Sequence, residues 1–563
     1  MKSFNKFLLA GFLTMGLFAC SDSNDASGNE QNTENSDAVY MSFKLELPSV
    51  AGGRSATDGE GTTNSNANPD YEVGQDEENN VNTALIVLTD NDYDYVAQYT
   101  LTGTQLGDAT GDVYKTYTVK FESKDLANAM TGTELKVLVF CNPTSTLSSI
   151  FAQETPGNVK DAIESLGETA PNGVDASIWT KNAFLMTNAD NSNVISVPNS
   201  WEPYYTESNP YDLGVISVER SSARFDFKAT NNNSYSVEDA TDGSLVGNVV
   251  LTDATLINMS KNFYYLRRVS TNGLKANSTV GGVEANNNYV VDTDADEKNG
   301  YTAATWNDKA DNFFYNLENP ESWSWTSLST IQTEDNWVGN DGNDGYKIWR
   351  YAIENTIPGI NNQLHGISTG VVFKGNMVFA ENAGIDNTRP VYLYMNHIYG
   401  NLSHLKAAAE AEDALPSLTV AYESLQKAID AEIAKLNLAE GTEASADQLN
   451  VAEDAVAAAA YDFTRYYPND GKYEMFYYYW NRHNDNGDKE VMGIMEFAVV
   501  RNNVYKLAVT NINKFGHPDP SKDPEKNDPD PVDPDDPDEE KNIYFKVSVK
   551  VLPWVVRVNN IEF

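Results

Sequence analysis

The stretch AVYMSFKLELPSV, residues 38–50, decides the fold class because its apolar and polar side chains alternate. In an extended chain the following apolar positions all face one way: Val39, Met41, Phe43, Leu45 and Leu47. A period of two with apolar residues on one side is typical of a β-strand that buries a single face. We therefore expect a half-buried strand here, in a mainly β protein.

The chain that follows this strand has the composition of an exposed loop. Residues 51–70 are mostly Gly, Ser, Thr, Asn or acidic, which favours a segment that a protease can enter. Arg54 lies in this segment and is the only arginine among the first 219 residues. A protease that cuts after arginine would find one site in this part of the chain, although a solvated loop residue is the simpler interpretation of Arg54 alone.

The N-terminus has the pattern of an export signal. Lys2 and Lys6 precede an apolar run over residues 7–17, and the sequence LFAC ends it at Cys20. This ending resembles a bacterial lipobox, which implies removal of residues 1–19 and acylation of Cys20. Residues 20–37 are then a polar, disordered tether. Cys141 is the second of two cysteines, and a lipidated first one leaves it without a disulfide partner.

The composition restricts the function classes. The 563 residues carry a net charge of −43, and so negative a field repels nucleic acids and anionic lipids. We therefore expect no nucleic-acid partner. The five histidines form no HExxH or Cys/His cluster, so no metal ion or other cofactor is predicted.

The middle of the chain predicts two β-sandwich domains. Apolar runs separated by turn residues recur at sandwich spacing, at 84–90, 113–122, 135–140, 194–200, 370–380, 389–395, 473–483 and 495–512. An alternating run over residues 216–230 is expected to open the second domain, which gives domains at 55–216 and 217–517. Residues 401–463 are rich in Ala, Glu, Lys and Leu, which predicts a helical insertion with a helix starting near Pro416.

Two segments end the chain. Residues 518–541 hold seven of the 21 prolines and eleven acidic residues, which predicts an extended linker that does not pack. Residues 542–563 alternate again, with these apolar positions: Phe545, Val547, Val549, Val551, Trp554, Val556 and Val558. The phase slips near Leu552 and Pro553, which predicts a bend or bulge between two strand pieces.

A single strand beyond a linker has no core of its own and must pair elsewhere. It can fold back on its own sheet, or it can fill a groove in a neighbouring molecule by strand addition. Four or five buried apolar side chains contribute about 6–15 kcal/mol before ordering costs, which suffices for a lasting joint. A joint between a tail and a groove elsewhere does not close on itself and generates an open fibre.

Several of these features occur together in one known family. The motifs are the lipobox, the GGR loop, VERSSARFDFK (218–228), YAIENT (351–356), YEMFYYYWNRH (473–483), MEFAVVRNNVYKLAVTNINKFGHP (495–518) and the ending VLPWVVRVNNIEF. Together they resemble the fimbrillins, the lipoprotein-derived shaft subunits of type V pili of Bacteroidales. The Pro/Asp linker and the last segment are most similar to the Mfa-type major subunits of the short (minor) fimbrium of Porphyromonas.

The resemblance implies transthyretin-like β-sandwich domains, export to the outer membrane as a lipoprotein, and cleavage between Arg54 and Ser55. The cut would remove residues 38–54, a plug strand, and open a groove that the C-terminal donor strand of another copy fills. The implied partners are other copies arranged head to tail, fimbrial anchor and tip subunits, an Arg-specific surface protease, and host or bacterial receptors. The implied final location is an extracellular fimbrium that supports adhesion and biofilm formation.

Other functions have weaker support. GISTG, residues 366–370, matches the GxSxG expression of serine hydrolases beside His365, but a strand-like run follows where a helix is required, which favours a turn in a non-enzymatic protein. Residues 292–300 begin like a calcium loop but lack its last glutamate, so an acidic hairpin loop is predicted. Two alternatives stay open: a surface lipoprotein or pilus tip or accessory adhesin that binds host protein or glycan, and a surface glycan hydrolase with a carboxylate pair.

Overall fold

The structure is a computed structural model of the chain. It describes residues 38–47, 72–106, 114–127, 129, 131–153, 157–164, 178–189, 193–238, 243–282, 288–300, 310–333, 345–395, 397–439, 441–484, 486–488, 490–520, 532–539 and 545–555. Strands dominate these residues, as the alternating sequence predicts.

The strands divide at residue 221 into an N-terminal and a C-terminal group. The N-terminal strands are β1 (Ala38–Glu46), β2 (Glu72–Val73), β3 (Thr83–Thr89), β4 (Tyr95–Thr102), β5 (Tyr114–Glu122), β6 (Glu134–Cys141), β7 (Trp179–Thr180), β8 (Ala183–Phe184), β9 (Met186–Asn188), β10 (Val194–Ser196) and β11 (Tyr211–Arg220). The C-terminal strands are β12 (Ala223–Phe227), β13 (Ser234–Glu238), β14 (Leu245–Ile257), β15 (Met259–Ser260), β16 (Arg268–Ser270), β17 (Thr279–Val280), β18 (Tyr289–Val290), β19 (Phe313–Phe314), β20 (Thr326–Ser327), β21 (Lys347–Ala352), β22 (Gly370–Phe379), β23 (Val391–Tyr394), β24 (His397–Tyr399), β25 (Thr464–Tyr466), β26 (Pro468–Asn469), β27 (Lys472–Trp480), β28 (Asn503–Ile512) and β29 (Phe545–Val555).

Most helices are short. They are α1 (Asp76–Asn79), α2 (Gly103–Leu106), α3 (Ser123–Leu126), α4 (Ser145–Gln153), α5 (Val159–Glu164), α6 (Ala295–Lys298), α7 (Leu328–Thr333), α8 (Leu402–Ala409), α9 (Pro416–Lys435) and α10 (Ala446–Asp454). Across the part of the chain that the structure describes, no helix has the length and apolar character needed to cross a bilayer.

Eight strands of the N-terminal group form one large sheet, whereas β7 pairs with β8 alone and β2 joins a sheet of the C-terminal group. The strand order of the large sheet is β4-β3-β6-β9-β11-β1-β5, and β10 pairs with β6 at the side of this path. The sheet buries aliphatic residues such as Ile86, Val139 and Ile216, none of which is exposed to solvent. This core places β1 deep within the N-terminal region, with five strands of the path to one side of it and one to the other.

The C-terminal group forms two main sheets. One has the order β2-β29-β28-β12-β21, and the other has the order β13-β14-β22-β27-β26 with β20 on β14. Side chains of both sheets share one apolar core, in which the rings of Phe227 on β12 and Phe373 on β22 lie 5.8 Å apart. The first of these sheets accepts the C-terminal strand β29.

The boundary between the two groups differs from the predicted one. The run over residues 216–230 was expected to be one strand of the second domain, but it forms β11 and β12, which belong to different sheets. The break lies at Ser221 and Ser222, which are fully buried between the sheets. The sequence pattern does not indicate this break, because both strands bury residues at the junction and the alternation of apolar and polar residues runs through it.

Helices α8 to α10 lie between β24 and β25, within the stretch where the sequence predicts helices. Helix α9 begins at Pro416, as expected for a residue whose missing N–H costs nothing in the first turn. These helices share a small apolar core of their own, with Leu405, Leu425 and Ile429 almost fully buried.

Two local predictions were wrong. The run over residues 495–512 is a continuous strand only from Asn503, because residues 495–502 form two turns around an isolated β-bridge at Val499, with left-handed backbone at Met495 and Asn502. The predicted acidic hairpin loop at residues 292–300 contains the helical turn α6.

Candidate assembly site

Strand β1 is an interior strand of the large N-terminal sheet. On one side it pairs antiparallel with β5, from Ala38 opposite Glu122 to Glu46 opposite Tyr114. On the other side it pairs in parallel with β11, with a bulge between Ser42 and Lys44. Because both edges of β1 are hydrogen-bonded, removing it would leave a gap between β5 and β11 with two unpaired strand edges.

One face of β1 is completely buried. The five apolar residues expected on this face are all at most 5% exposed: Val39, Met41, Phe43, Leu45 and Leu47. The ring of Phe43 lies 5.7 Å from that of Tyr117 on β5. At about 1.5–3 kcal/mol for each side chain, this face contributes about 7–15 kcal/mol of gross apolar burial. The gap left by β1 would therefore be an apolar groove.

The other face of β1 is partly covered. Lys44 is exposed, and Tyr40 and Ser42 are half-buried, as the alternation predicts. Glu46 departs from the pattern because it is buried and accepts a hydrogen bond from the Ser217 hydroxyl of β11. A polar bond to a neighbouring strand explains this burial, and alternation alone could not signal it.

The C-terminal strand β29 lies between β2 and β28 in a sheet of the C-terminal group of its own chain. It pairs antiparallel with β28, from Phe545 opposite Ile512 to Pro553 opposite Asn503. Sequence reasoning left open whether this strand folds back or enters a neighbour, and in this structure it folds back. The predicted bend at Leu552 and Pro553 is wrong, because β29 is one continuous strand and the register shift lies in β28 between Val509 and Asn511.

Val547 is half-buried against the apolar core of the C-terminal sheets, and its neighbour Ser548 is exposed. The backbone of Val549, Val551 and Trp554 takes part in β29. Val556 and Val558 lie outside the described residues, as do Cys20, Arg54 and Ser55.

Among the residues that the structure describes, the outer edge of β29 is paired only near its end. Strand β2 pairs in parallel with it at Trp554 and Val555. The carboxylate of Glu72 in β2 binds Arg224 Nη2 at 3.0 Å and Lys506 Nζ at 2.7 Å, and all three side chains are buried. The sequence pattern gives no sign of this contact, since a two-residue strand has no periodic signal.

Glu72 belongs to a buried charge cluster between the two strand groups. Arg224 binds Asp226 at 2.8 Å and Glu78 at 3.0 Å, and the Tyr351 hydroxyl donates to Glu78 at 2.6 Å. Burial raises the pKa of Asp226 to about 6, although the charge of Arg224 opposes the rise. Such a cluster is costly to break in part, because the remaining charge would be buried without its partner. It therefore fixes the segment just after the predicted cleavage loop to the C-terminal sheets.

Part of the Pro/Asp linker packs against the protein, contrary to the prediction. Backbone N–H groups of His365 and Gly366 donate to the carbonyls of Asp536 and Pro534 at 3.1 and 3.0 Å. The carboxylate of Glu539 binds Arg482 at 2.8 Å. The proline and aspartate content predicted an unpacked chain, but backbone carbonyls and one ion pair suffice to dock residues 532–539.

The GISTG motif contributes to this docking. Residues 366–369 form a turn before β22, and the Ser368 hydroxyl donates to Asp538 of the linker. His365 is buried and stacks on Trp480 with ring centroids 4.5 Å apart. Burial lowers the pKa of His365 to about 3, so its ring is neutral at physiological pH.

Cys141 lies at the end of β6 and is fully buried. Burial raises the pKa of its thiol to about 12, so the thiolate needed for reaction is scarce. Cys141 therefore serves as a small apolar side chain in the core of the N-terminal sheet.

A comparison with protein-family models gives one match. Residues 469–560 match the C-terminal model of the fimbrillins, described as the major fimbrial subunit protein type IV. The matched segment contains β27, β28, the Pro/Asp linker and β29. The resemblance to fimbrillins is confirmed over these residues. No curated protein matches the chain.

The solved structures that match this chain share little sequence with it. The tip fimbrial protein Mfa3 of Porphyromonas gingivalis is 9% identical and aligns over 92% of this chain and 100% of its own, with a TM-score of 0.34. A fimbrilin of P. gingivalis W83 is 12% identical over 92% and 99%, with a TM-score of 0.33. A candidate cell adhesion protein of Parabacteroides distasonis is 11% identical over 93% and 100%, with a TM-score of 0.39. Scores this low add no weight to a functional conclusion.

Proposed function

We propose, from the fimbrillin match over residues 469–560, that this chain is a fimbrial subunit that polymerises by strand exchange. Strand β1 acts as a plug in the N-terminal sheet of the precursor, and the tail strand of another copy replaces it. The observation that carries the proposal is the interior position of β1, with five apolar side chains buried and both edges paired.

The proposed cleavage site explains how the plug leaves. Arg54 lies between the end of β1 at Glu46 and the start of β2 at Glu72. While the chain is intact, the connecting segment keeps β1 at a high effective concentration beside its groove, on the order of millimolar. A cut between Arg54 and Ser55 removes this advantage, so β1 then competes with any other strand as a separate peptide. The cut also separates the subunit from Cys20 and its lipid.

The tail has the properties of a donor. It alternates apolar and polar residues over Phe545 to Val551, as β1 does over Val39 to Leu47. It also pairs with its own chain along one edge, and β2 covers only its last two described positions on the other. Leaving this position costs fewer strand hydrogen bonds than leaving an interior position.

The remaining features of the proposal follow the family. The precursor is exported as a lipoprotein to the outer membrane, its two sheet groups act as transthyretin-like β-sandwich domains with a helical insertion, and the mature subunit forms the shaft of an extracellular fimbrium. Its partners are further copies arranged head to tail, anchor and tip subunits, an Arg-specific surface protease and receptors for adhesion. Catalysis has no role in this proposal.

Electron microscopy of the purified precursor before and after limited trypsin treatment tests the proposal, combined with N-terminal sequencing of the product. We expect monomers before treatment, and fibres built from chains that begin at Ser55 after it. Filaments of the uncut precursor, or a product cut at Arg54 that stays monomeric, would contradict the proposal.

One observation favours a second candidate. Because β29 is paired with its own β28, a subunit whose tail stays in place is also consistent with the structure. Such a protein would be a tip or accessory adhesin, or a monomeric surface lipoprotein, that binds host protein or glycan. The product cut at Arg54 distinguishes the two, since this second candidate remains monomeric after cleavage.

A further inference from the structure

Lys298, Asp292 and Asn355 meet in the interior of the C-terminal region. Lys298 Nζ lies 2.6 Å from Asp292 Oδ2 and 2.7 Å from Asn355 Oδ1. The three residues are at most 3% exposed. The amine of Lys298 thus contacts both a carboxyl group and a side-chain amide where water has little access.

The amide of Asn355 is held rigidly in this position. Its Nδ2 donates to the backbone carbonyls of Asn258 and Ile367 at 3.2 and 2.9 Å and to Thr369 Oγ1 at 2.9 Å. Its backbone forms a β-bridge with Val499. Since the amide is fixed and Lys298 Nζ lies 2.7 Å from its oxygen, the amine is positioned beside the group that it would attack.

The electrostatic environment permits proton transfer between the amine and Asp292. Burial raises the pKa of Asp292 to about 7, although Lys298 opposes the rise. Burial works to lower the pKa of Lys298, but the charges of Asp292 and Asp294 outweigh it and raise that pKa. The resting state is therefore an ion pair, and a neutral pair with the proton on Asp292 is accessible from it because the site disfavours charge.

We propose that Lys298 and Asn355 become joined by an intramolecular isopeptide bond and that Asp292 transfers the protons. The Lys298 ammonium gives one proton to Asp292, and the free amine attacks the amide carbon of Asn355. The new C–N bond forms, the attacking nitrogen loses a second proton to the leaving nitrogen, and the old C–N bond breaks to release ammonia. The first proton stays on Asp292 or leaves with the ammonia as ammonium, so no oxidant or co-reactant is needed.

This crosslink is separate from the proposed strand exchange. It would tie α6 to the segment after β21 and close a covalent loop around residues 298–355 of the C-terminal region. A closed loop of this size restricts the unfolded chain, which stabilises the fold. The residues involved lie in neither β1 nor β29, so the crosslink can be tested without fibres.

The test is peptide mass spectrometry of the full chain after tryptic digestion in denaturant. A crosslink blocks cleavage after Lys298, so we expect one species that joins residues 276–309 to residues 351–374, lighter than the two peptides together by one ammonia. Separate peptides of unmodified mass, with normal cleavage after Lys298, would overturn the proposal.

Two variants and an internal control sharpen the test. Lys298→Met removes the nucleophile, and Asp292→Asn keeps the size of the side chain but removes its proton transfer. Both should yield only the separate peptides, and joined peptides in either variant would overturn the assigned roles. Lys506 is the internal control, because it is also buried in an ion pair and should be cleaved normally. The peptide masses of the wild-type protein show whether the crosslink forms, even where a variant fails to fold.

Discussion

Strands β1 and β29 have similar alternating sequences but different places in their sheets. Strand β1 pairs along both edges and buries five apolar side chains, whereas β29 pairs mainly with β28 and has a cover of two residues from β2. The difference shows that alternation specifies which face a strand buries but not how firmly its sheet holds it. In the proposed assembly, the cut releases β1, which is paired along both edges, and β29 is the strand that moves to another copy.

Blocking the cleavage that releases β1 should have the largest effect on assembly. Arg54→Ala should abolish fibre formation and leave full-length, lipidated monomers, because β1 stays tethered at its groove. The measurement is electron microscopy together with a gel ladder of unboiled samples.

Arg54→Lys is the matched variant for that experiment. Trypsin cuts after lysine, whereas an Arg-specific protease does not, so trypsin should restore assembly to this variant only. Fibres of normal length from Arg54→Ala would contradict the proposed role of the cut.

Deleting residues 543–563 tests the other strand. We expect a folded subunit that is still cleaved at Arg54 but does not elongate, since β29 pairs fully only with β28 and its other edge pairs with β2 over two residues. Circular dichroism measures the fold and electron microscopy measures elongation. Fibres from the truncated protein would place the donor elsewhere.

Phe43→Ala should destabilise the precursor but not the fibre. Removing a fully buried Phe costs about 3–5 kcal/mol of unfolding free energy, and β1 is absent from the proposed mature subunit. Urea unfolding of the precursor and heat dissociation of trypsin-assembled fibres measure the two effects.

Two substitutions serve as comparisons for Phe43→Ala. Lys44→Ala, on the exposed face of the same strand, should change the precursor by less than about 0.5 kcal/mol. Val547→Ala, in the tail, should have the reverse effect, with fibres weakened more than the precursor. Equal weakening of fibres by Phe43→Ala would mean that β1 remains in the polymer.

Mild acid should loosen the linker region and spare β1. Burial lowers the pKa of His365 to about 3 and that of His517 to about 4. Their unfolded pKa is near 6.5, so this contribution to stability is complete above about pH 6.5 and is lost progressively as the pH falls from there to the folded values. At pH 5 each histidine then lowers stability by about 1–2 kcal/mol.

Protection factors from amide hydrogen exchange at pH 7 and pH 5 measure this difference. Residues 38–222 contain no histidine, so peptides of β1 should keep their protection while peptides over residues 364–376 lose it. His365→Gln should reduce the pH dependence, and the exposed His397→Gln should not. Equal loss of protection at β1 would show that these histidines are not the cause.

The sequence predicted β1 well because the buried face of a strand depends on local alternation. It could not predict the partner of β29, since alternation identifies an apolar face and not the sheet that accepts it. It missed the contact of Glu72 with Arg224 and Lys506, because buried ion pairs between distant segments have no local pattern. It also missed the docking of residues 532–539, which depends on backbone carbonyls that every residue possesses.

The most direct test of the strand exchange is a cryo-electron microscopy structure of fibres grown from the trypsin-cut protein. We expect that residues of the tail from one copy lie between β5 and β11 of the next, in the place of β1. Density for β1 in that place, or tails still paired with β28 of their own chain, would contradict it.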